Sequence, residues 1–181
     1  MVKNVKKILR TIIEQERQLY IPHIRSFKTR FVAFYTHIEE YEIFCFMKNL
    51  RKAEYYKNNK IVHLFYLRKC NKLGERLGFF IAPGVLGSKV RIYHMGDIVI
   101  NSQSIIGDGC LFHGDNCVGN NGSDNACPVL GKRVELGTGA KVIGNVTLAD
   151  EIKVGANAVV TKSFLEPGIT IAGVPARKIK G

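Results

Sequence analysis

The segment LGTGAKVIGNVTLADEIKVGANAVV, residues 136–160, sets Leu136, Val142, Leu148, Val154 and Val160 six positions apart. The same frame runs back through Leu130, Val118, Phe112, Ile106 and Ile100, and only Asp124 interrupts it. Gly107, Gly119, Gly131, Gly137 and Gly155 each follow the apolar residue directly. Four places after that residue stands a second inward-looking side chain, as at Val134, Ala140, Val146, Ile152, Ala158 and Phe164. A period of six fits neither the 3.6 of a helix nor the 2.0 of a lone strand. It fits a coil of very short strands and turns, in which each repeat buries its apolar residue against the next.

A strand of about three residues leaves its backbone groups unpaired unless like strands lie above and below it, roughly 4.8 Å away. Stacking supplies those partners. The aliphatic residue then points inward and forms a ladder with its copies, while the small residue after it permits a sharp turn. Three hexapeptides close one triangular coil of about eighteen residues, so the frame over 100–165 predicts three to four coils.

Three segments in order, residues 136–142 (LGTGAKV), 154–162 (VGANAVVTK) and 171–177 (IAGVPAR), resemble the hexapeptide-repeat acyltransferases, specifically their serine acetyltransferase-like branch, which includes polysaccharide O-acetyltransferases. The resemblance covers roughly residues 81–181. It implies a mainly β fold, a left-handed parallel β-helix, assembled as a homotrimer with sites between subunits and using acetyl-CoA as co-substrate. The left hand comes from the resemblance, since the general crossover rule gives the right.

The whole chain has 181 residues and 46% hydrophobic composition, enough for one globular unit with an accessory segment. The expected division is a basic α-helical segment over 1–78 and a β-helix with a C-terminal tail over 79–181. No run reaches the length of a membrane-spanning helix, and the basic amino terminus lacks the apolar core of a secretory signal, so a cytoplasmic protein is expected. Cys45, Cys70, Cys110, Cys117 and Cys127 form no CxxC pair and no zinc spacing; Cys110 falls at an inward position.

Charge is uneven. Residues 1–80 hold 17 Lys or Arg against 7 Asp or Glu, and 81–181 hold 10 against 8; the nets of +10 and +2 make the +12 of the chain. Val5, Ile8, Leu9, Ile12 and Ile13 recur at helical spacing, as do Phe44, Met47 and Leu50, and later Ile61, Leu64, Phe65 and Leu67, with Pro22 ending the first helix. These stripes can cap the open end of a coil, leaving the cations as a solvated face. Alternatively the charge attracts an anionic partner, such as a membrane surface or an acidic glycan. Tyr20, Tyr35, Tyr41, Tyr55 and Tyr56 come with no nucleic-acid motif, and no nucleic-acid partner is expected.

Leu86 and Ile92 are six apart but two places out of phase with Ile100, so the chain must bulge within 93–97. His94 lies in that bulge, and His113 follows nineteen residues on, about one coil later and on the same side. A neutral imidazole can take a hydroxyl proton near neutral pH and return it. By resemblance, His94 matches the general base of serine acetyltransferases, and His113 a position often occupied by histidine.

The chain departs from that family in three places. Phe80 stands where the aspartate orienting the histidine would be, and Tyr93 where an acidic residue usually precedes it. Ala126-Cys127 replaces an Arg-His pair, leaving no cation for a serine carboxylate. Asp97 or Asp115 could supply the missing carboxylate. In the family a loop such as 120–125, NNGSDN, borders the acceptor site, and by that resemblance Tyr93, Asp97, Asp115 and Cys127 at the loop's base are the expected acceptor-side residues.

For the donor, Gly119, Gly139, Ala140 and Ala158 leave little bulk along an edge where a pantetheine arm could lie, and Lys162, Arg177 and Lys178 are placed by resemblance for its phosphates. The expectation is therefore an O-acetyltransferase acting on a sugar hydroxyl or on L-serine. Two alternatives stand beside it. One is a catalytically silent scaffold; the other is a metal enzyme of the carbonic anhydrase kind, which needs three converging histidines where the repeat offers two, so no metal is expected.

Overall fold

The computed structural model describes residues 2–180, with side chains described from 7 to 179. The chain divides into two compact units, Met1–Leu77 and Gly78–Gly181.

The first unit holds helices α1 (Val2–Tyr20), α2 (Phe27–Tyr35), α3 (Glu39–Tyr55) and α4 (Lys60–Leu77). Helix α3 is its core: Ile43, Phe46, Met47, Leu50 and Ala53 are at most 1% exposed. Leu9 and Tyr20 are buried from α1, whose Glu16 accepts from Arg51 Nε at 2.8 Å; the side chain of Val5 lies outside the described residues. One expected stripe is reversed. Ile61, Leu64 and Phe65 of α4 are exposed, and this helix buries Cys70, Gly74 and Leu77 instead. Ser26 starts α2 through a capping box with Thr29, which satisfies first-turn amides that have no helical partner.

The second unit is a left-handed parallel β-helix. One face stacks β1 (Phe79–Ile81), β3 (Ile98–Ile100), β6 (Cys117–Gly119), β9 (Lys141–Ile143) and β12 (Val159–Val160). A second stacks β4 (Ile105–Ile106), β7 (Val129–Leu130) and β10 (Thr147–Leu148), extended by single bridges at Leu86 and Phe164. The third stacks β2 (Arg91–Ile92), β5 (Leu111–Phe112), β8 (Glu135–Leu136), β11 (Lys153–Val154) and β13 (Thr170–Ala172), with β14 (Arg177–Lys180) antiparallel at its end. The five-stranded face gives five coil levels, more than the three to four expected, because the first coil precedes the regular frame.

Every residue of the hexad frame is buried, from Ile100 at 1% to Val160 at 0%. The second inward position carries Cys110, Val134, Ala140, Val146, Ile152 and Ala158 at 0–1%, and also the polar Ser104 and Asn116. Asn116 is satisfied there, its Nδ2 donating to Gly137 O at 2.9 Å and its Oδ1 accepting from Gly114 N at 3.2 Å. Asp124 falls in an excursion between β6 and β7, where the coil step from Val118 to Val142 is 24 residues against 18 from Val142 to Val160. The excursion equals one hexapeptide, so the frame resumes in phase beyond it.

The glycines after the apolar residue serve space more than turning. A Cβ on Gly131 would lie 2.5 Å from Asp150 Oδ1, and one on Gly137 2.7 Å from Ala156 N. In both cases the coil above sits directly on the missing side chain. The same aspartate caps the turn below, Lys132 N donating to Asp150 Oδ1 at 2.7 Å, and Asp108 Oδ1 accepts from Ser88 N at the same distance.

Candidate active site

Three edges join the three faces of the β-helix, and the expected site residues lie on two of them. The edge between the third and first faces carries Tyr93, His94, Asp97, His113, Asp115, Gly139, Ala140 and Ala158. Gly119, Cys127 and Lys162 lie on the edge between the first and second faces, and Arg177 opens β14. A single chain therefore does not bring Cys127 to the edge that carries His94.

The bulge expected within 93–97 is present. Ile92 pairs with Phe112 and Val99 with Cys117, so the lower coil takes seven steps where the upper takes five. The two extra residues push His94 into solvent, where its Cβ would be 3.7 Å from a Cβ on the buried Gly114. Gly96 in the same bulge has φ +128, and Asp115 Oδ1 would meet a Cβ there at 2.7 Å.

The two histidines do not stack on each other. Arg91 pairs with Leu111, twenty residues on, so His113 lies over Tyr93 and Gly114 over His94. The Tyr93 and His113 rings are 4.7 Å apart and 13° from parallel, and the Arg91 guanidinium stands 4.7 Å over the Tyr93 ring. His113 Nε2 is 2.9 Å from Glu135 Oε1, with both side chains half-buried. A carboxylate only accepts, so Nε2 donates; in the neutral ring Nδ1 is then the basic atom.

Asp97 and Asp115 are bonded to each other across two coils. Asp115, at φ +52, accepts the Asp97 N–H through Oδ1 at 3.2 Å, and its carbonyl accepts from Lys141 Nζ. It ties the bulge to the coil above. Glu135 was missed by sequence reasoning. It sits one rung from His113 once the loop is removed, and the alternation of β8 turns it outward.

The donor residues also need correcting. Ala140 and Ala158 are 0% exposed, and their amides donate to Gly137 O and Gly155 O, so both are interior packing residues with no donor left for a ligand. Gly139, at φ +77, leaves room for Asn157 Oδ1. Gly119 gives its carbonyl to Gly144 N at 2.8 Å. Lys178 is bound by both oxygens of Glu166 at 2.8 Å, whereas Arg177 is exposed and Lys162 stands 5.5 Å from the Phe164 ring. Both of those cations are exposed, whereas the alanine edge is interior.

Phe80 is 75% exposed on the outer surface of the first face, below Val99 at 41%. The loop 120–127 closes on itself: Asn121 Oδ1 accepts from Ser123 and Asp124 amides, and Asp124 Oδ1 from Ala126 N. Among the described residues no three His, Cys, Asp or Glu side chains form a group able to hold a metal ion, and no helix is long and apolar enough to cross a membrane.

No protein-family model matches the chain. The serine acetyltransferase of Helicobacter pylori strain 26695 is 38% identical over 119 residues, which cover 64% of this chain and 69% of that protein. That of Buchnera aphidicola from Schizaphis graminum is 38% identical over 98 residues, 52% of this chain and 37% of that one. A protein of Escherichia coli K12 named as a colanic acid biosynthesis acetyltransferase, WcaB, is 34% identical over 91 residues, 50% of this chain and 56% of its own length. The chain spans only 37% to 45% of three of the serine acetyltransferases it matches. Among solved structures, serine acetyltransferase from Brucella abortus S19 superimposes with a TM-score of 0.72 at 24% identity, covering 97% of this chain and 68% of that one.

Proposed function

Because the chain belongs to the serine acetyltransferase-like branch of the hexapeptide-repeat acyltransferases, we propose that it is an acetyl-CoA-dependent O-acetyltransferase with His94 as general base. The observation that carries the reading is the two-residue bulge between Ile92 and Val99, which exposes His94 at a strand corner beside a second, carboxylate-held imidazole. The acceptor oxygen attacks the thioester carbonyl while His94 takes its proton. The new C–O bond forms, the C–S bond breaks, and the proton passes to the departing sulfur. A complex of the Brucella abortus enzyme with coenzyme A, at 23% identity and a TM-score of 0.69, supports coenzyme A as the carrier. Lys162 and Arg177 are the cations we assign to its phosphates.

The acceptor we assign is a sugar hydroxyl. Residues 114–131 contain no Lys or Arg, and the loop within them offers Asn120, Asn121, Ser123 and Asn125, neutral groups suited to hydroxyls. WcaB among the relatives agrees with this. L-serine is the second reading, favoured by the 38% identity to the Helicobacter pylori enzyme and by Arg91, a cation of β2 that stands over the Tyr93 ring beside His94.

Both readings need more than one copy. Cys127 and its loop lie on a different edge from His94, so a site using both forms only where two subunits meet, as in a homotrimer. Outward rows support such packing: Phe80 and Val99 on the first face, and Ile105 at 59% beside Val129 at 38% on the second. Mass spectrometry of products from acetyl-CoA with L-serine, and separately with amino sugars and oligosaccharides, tests the acceptor. Acetylated saccharide alone supports the first reading, and O-acetylserine alone the second.

A further inference from the structure

Helix α2, FKTRFVAFY, is built inside out. Ala33 at 0% exposure is the residue it buries, while Phe27 is 85% exposed, Phe31 60%, Phe34 60% and Tyr35 75%. Positions 27, 31, 34 and 35 share one helical face, opposite Ala33. The Phe31 and Tyr35 rings already stack, 6.4 Å apart and 12° from parallel. Lys28 and Arg30 flank this face on its two sides, with Arg25 just before the helix. Residues 17–38 contain Arg17, Arg25, Lys28 and Arg30 and no Asp or Glu.

We propose that the aromatic face of α2 docks the protein on an anionic lipid surface. Phenyl rings on one face with cations along its borders match the interface of a bilayer, where rings reach the acyl boundary and cations meet headgroup phosphates. The charge selects the occupant. A second copy meeting this face about a twofold axis would set Arg25, Lys28 and Arg30 against themselves, with Glu14, close enough to act on Arg30, the acid beside them. The other exposed apolar face, on α4, differs: Arg68 lies at helical spacing from its Leu64, and Lys69 Nζ stands 4.4 Å over its Phe65 ring. The proposal stands apart from the acetyl-transfer reading, since no residue of that site takes part.

The test is flotation of the full chain with vesicles of phosphatidylcholine alone and of phosphatidylcholine mixed with phosphatidylglycerol. Binding only to the anionic vesicles is expected, released by salt. It should fall at least about tenfold in Lys28→Glu/Arg30→Glu, since each cation near a membrane contributes several-fold, and similarly in Phe27→Ser/Phe31→Ser/Phe34→Ser. The chain has no tryptophan, so Phe31→Trp reports on this face alone, and its emission should shift to the blue with anionic vesicles. Absence of flotation, binding unchanged in the serine variant, or an unshifted tryptophan would overturn the proposal. A lower mass of the lipid-free serine variant would also overturn it, by showing that another copy covers the face.

Discussion

Glu135 on β8 holds Nε2 of His113 at 2.9 Å while Tyr93, one coil below, lies flat against the same ring at 4.7 Å. The imidazole is fixed by a hydrogen bond at its edge and a ring on its face. Its tautomer is thereby set, with the proton on Nε2 and Nδ1 as acceptor in the neutral form. Ring nitrogen shifts measured by NMR should show that tautomer in the wild type and a mixture in Glu135→Ala. A wild-type ring protonated at Nδ1 alone would contradict the pairing.

Glycines that lie under the next coil should tolerate no Cβ. Gly131→Ala places a methyl 2.5 Å from Asp150 Oδ1 and should cost about 3 kcal/mol or prevent folding. Gly122, at φ +79 with open space around it, carries only the left-handed cost, so Gly122→Ala should lose about 1 kcal/mol. Chemical denaturation of both variants checks the ranking, and equal losses would refute the spatial account.

Thiol reactivity should follow burial. Desolvation pushes Cys70 up to about 12 and Cys110 up to about 11, suppressing the reactive thiolate, whereas Cys117 and Cys127 are half-buried. Iodoacetamide followed by peptide mapping should find Cys127 modified in the folded protein, and Cys70 and Cys110 only after unfolding.

In the helical unit, burial lifts Glu16 above the ordinary carboxylate value of 4.5, although the Arg51 guanidinium pulls the other way. A carboxyl raised on folding keeps its proton longer in the folded chain. Its stabilisation is therefore present below 4.5 and is lost as pH rises through the raised value. The melting temperature of Glu16→Gln, compared with wild type, should gain as pH increases across that window. Arg51→Met should cost roughly 3 kcal/mol at neutral pH, because it strands the buried Glu16 carboxylate.

The β-helix was legible because its buried positions repeat along the chain: all ten frame residues from Ile100 to Val160 are interior. The bulge at His94 was legible for the same reason, as a phase slip of two. What stayed hidden depends on register between coils. His113 was expected near His94 at a spacing of nineteen, but the pairing of Arg91 with Leu111 makes this coil twenty and sets Tyr93 beneath it. Glu135 is 22 residues from His113, and the intervening loop conceals that they are neighbours. Ala140 and Ala158 suggest a ligand edge by their smallness, although the hexad frame already sets both at its second inward position, where they are buried. The outward stripe of α4 misled likewise, since helical periodicity marks a face but not what covers it.

In the acetyl transfer proposed for this chain, His94 takes the acceptor proton. The most direct measurement is the rate of free coenzyme A release from acetyl-CoA, with saccharide and serine acceptors, for wild type and His94→Ala. Acceptor-dependent turnover that falls by at least about a hundredfold in the variant, with the fold intact by circular dichroism, is the expected result. Turnover unchanged in His94→Ala would contradict the assignment, and background release by wild type with every acceptor would leave a β-helix that scaffolds without catalysing.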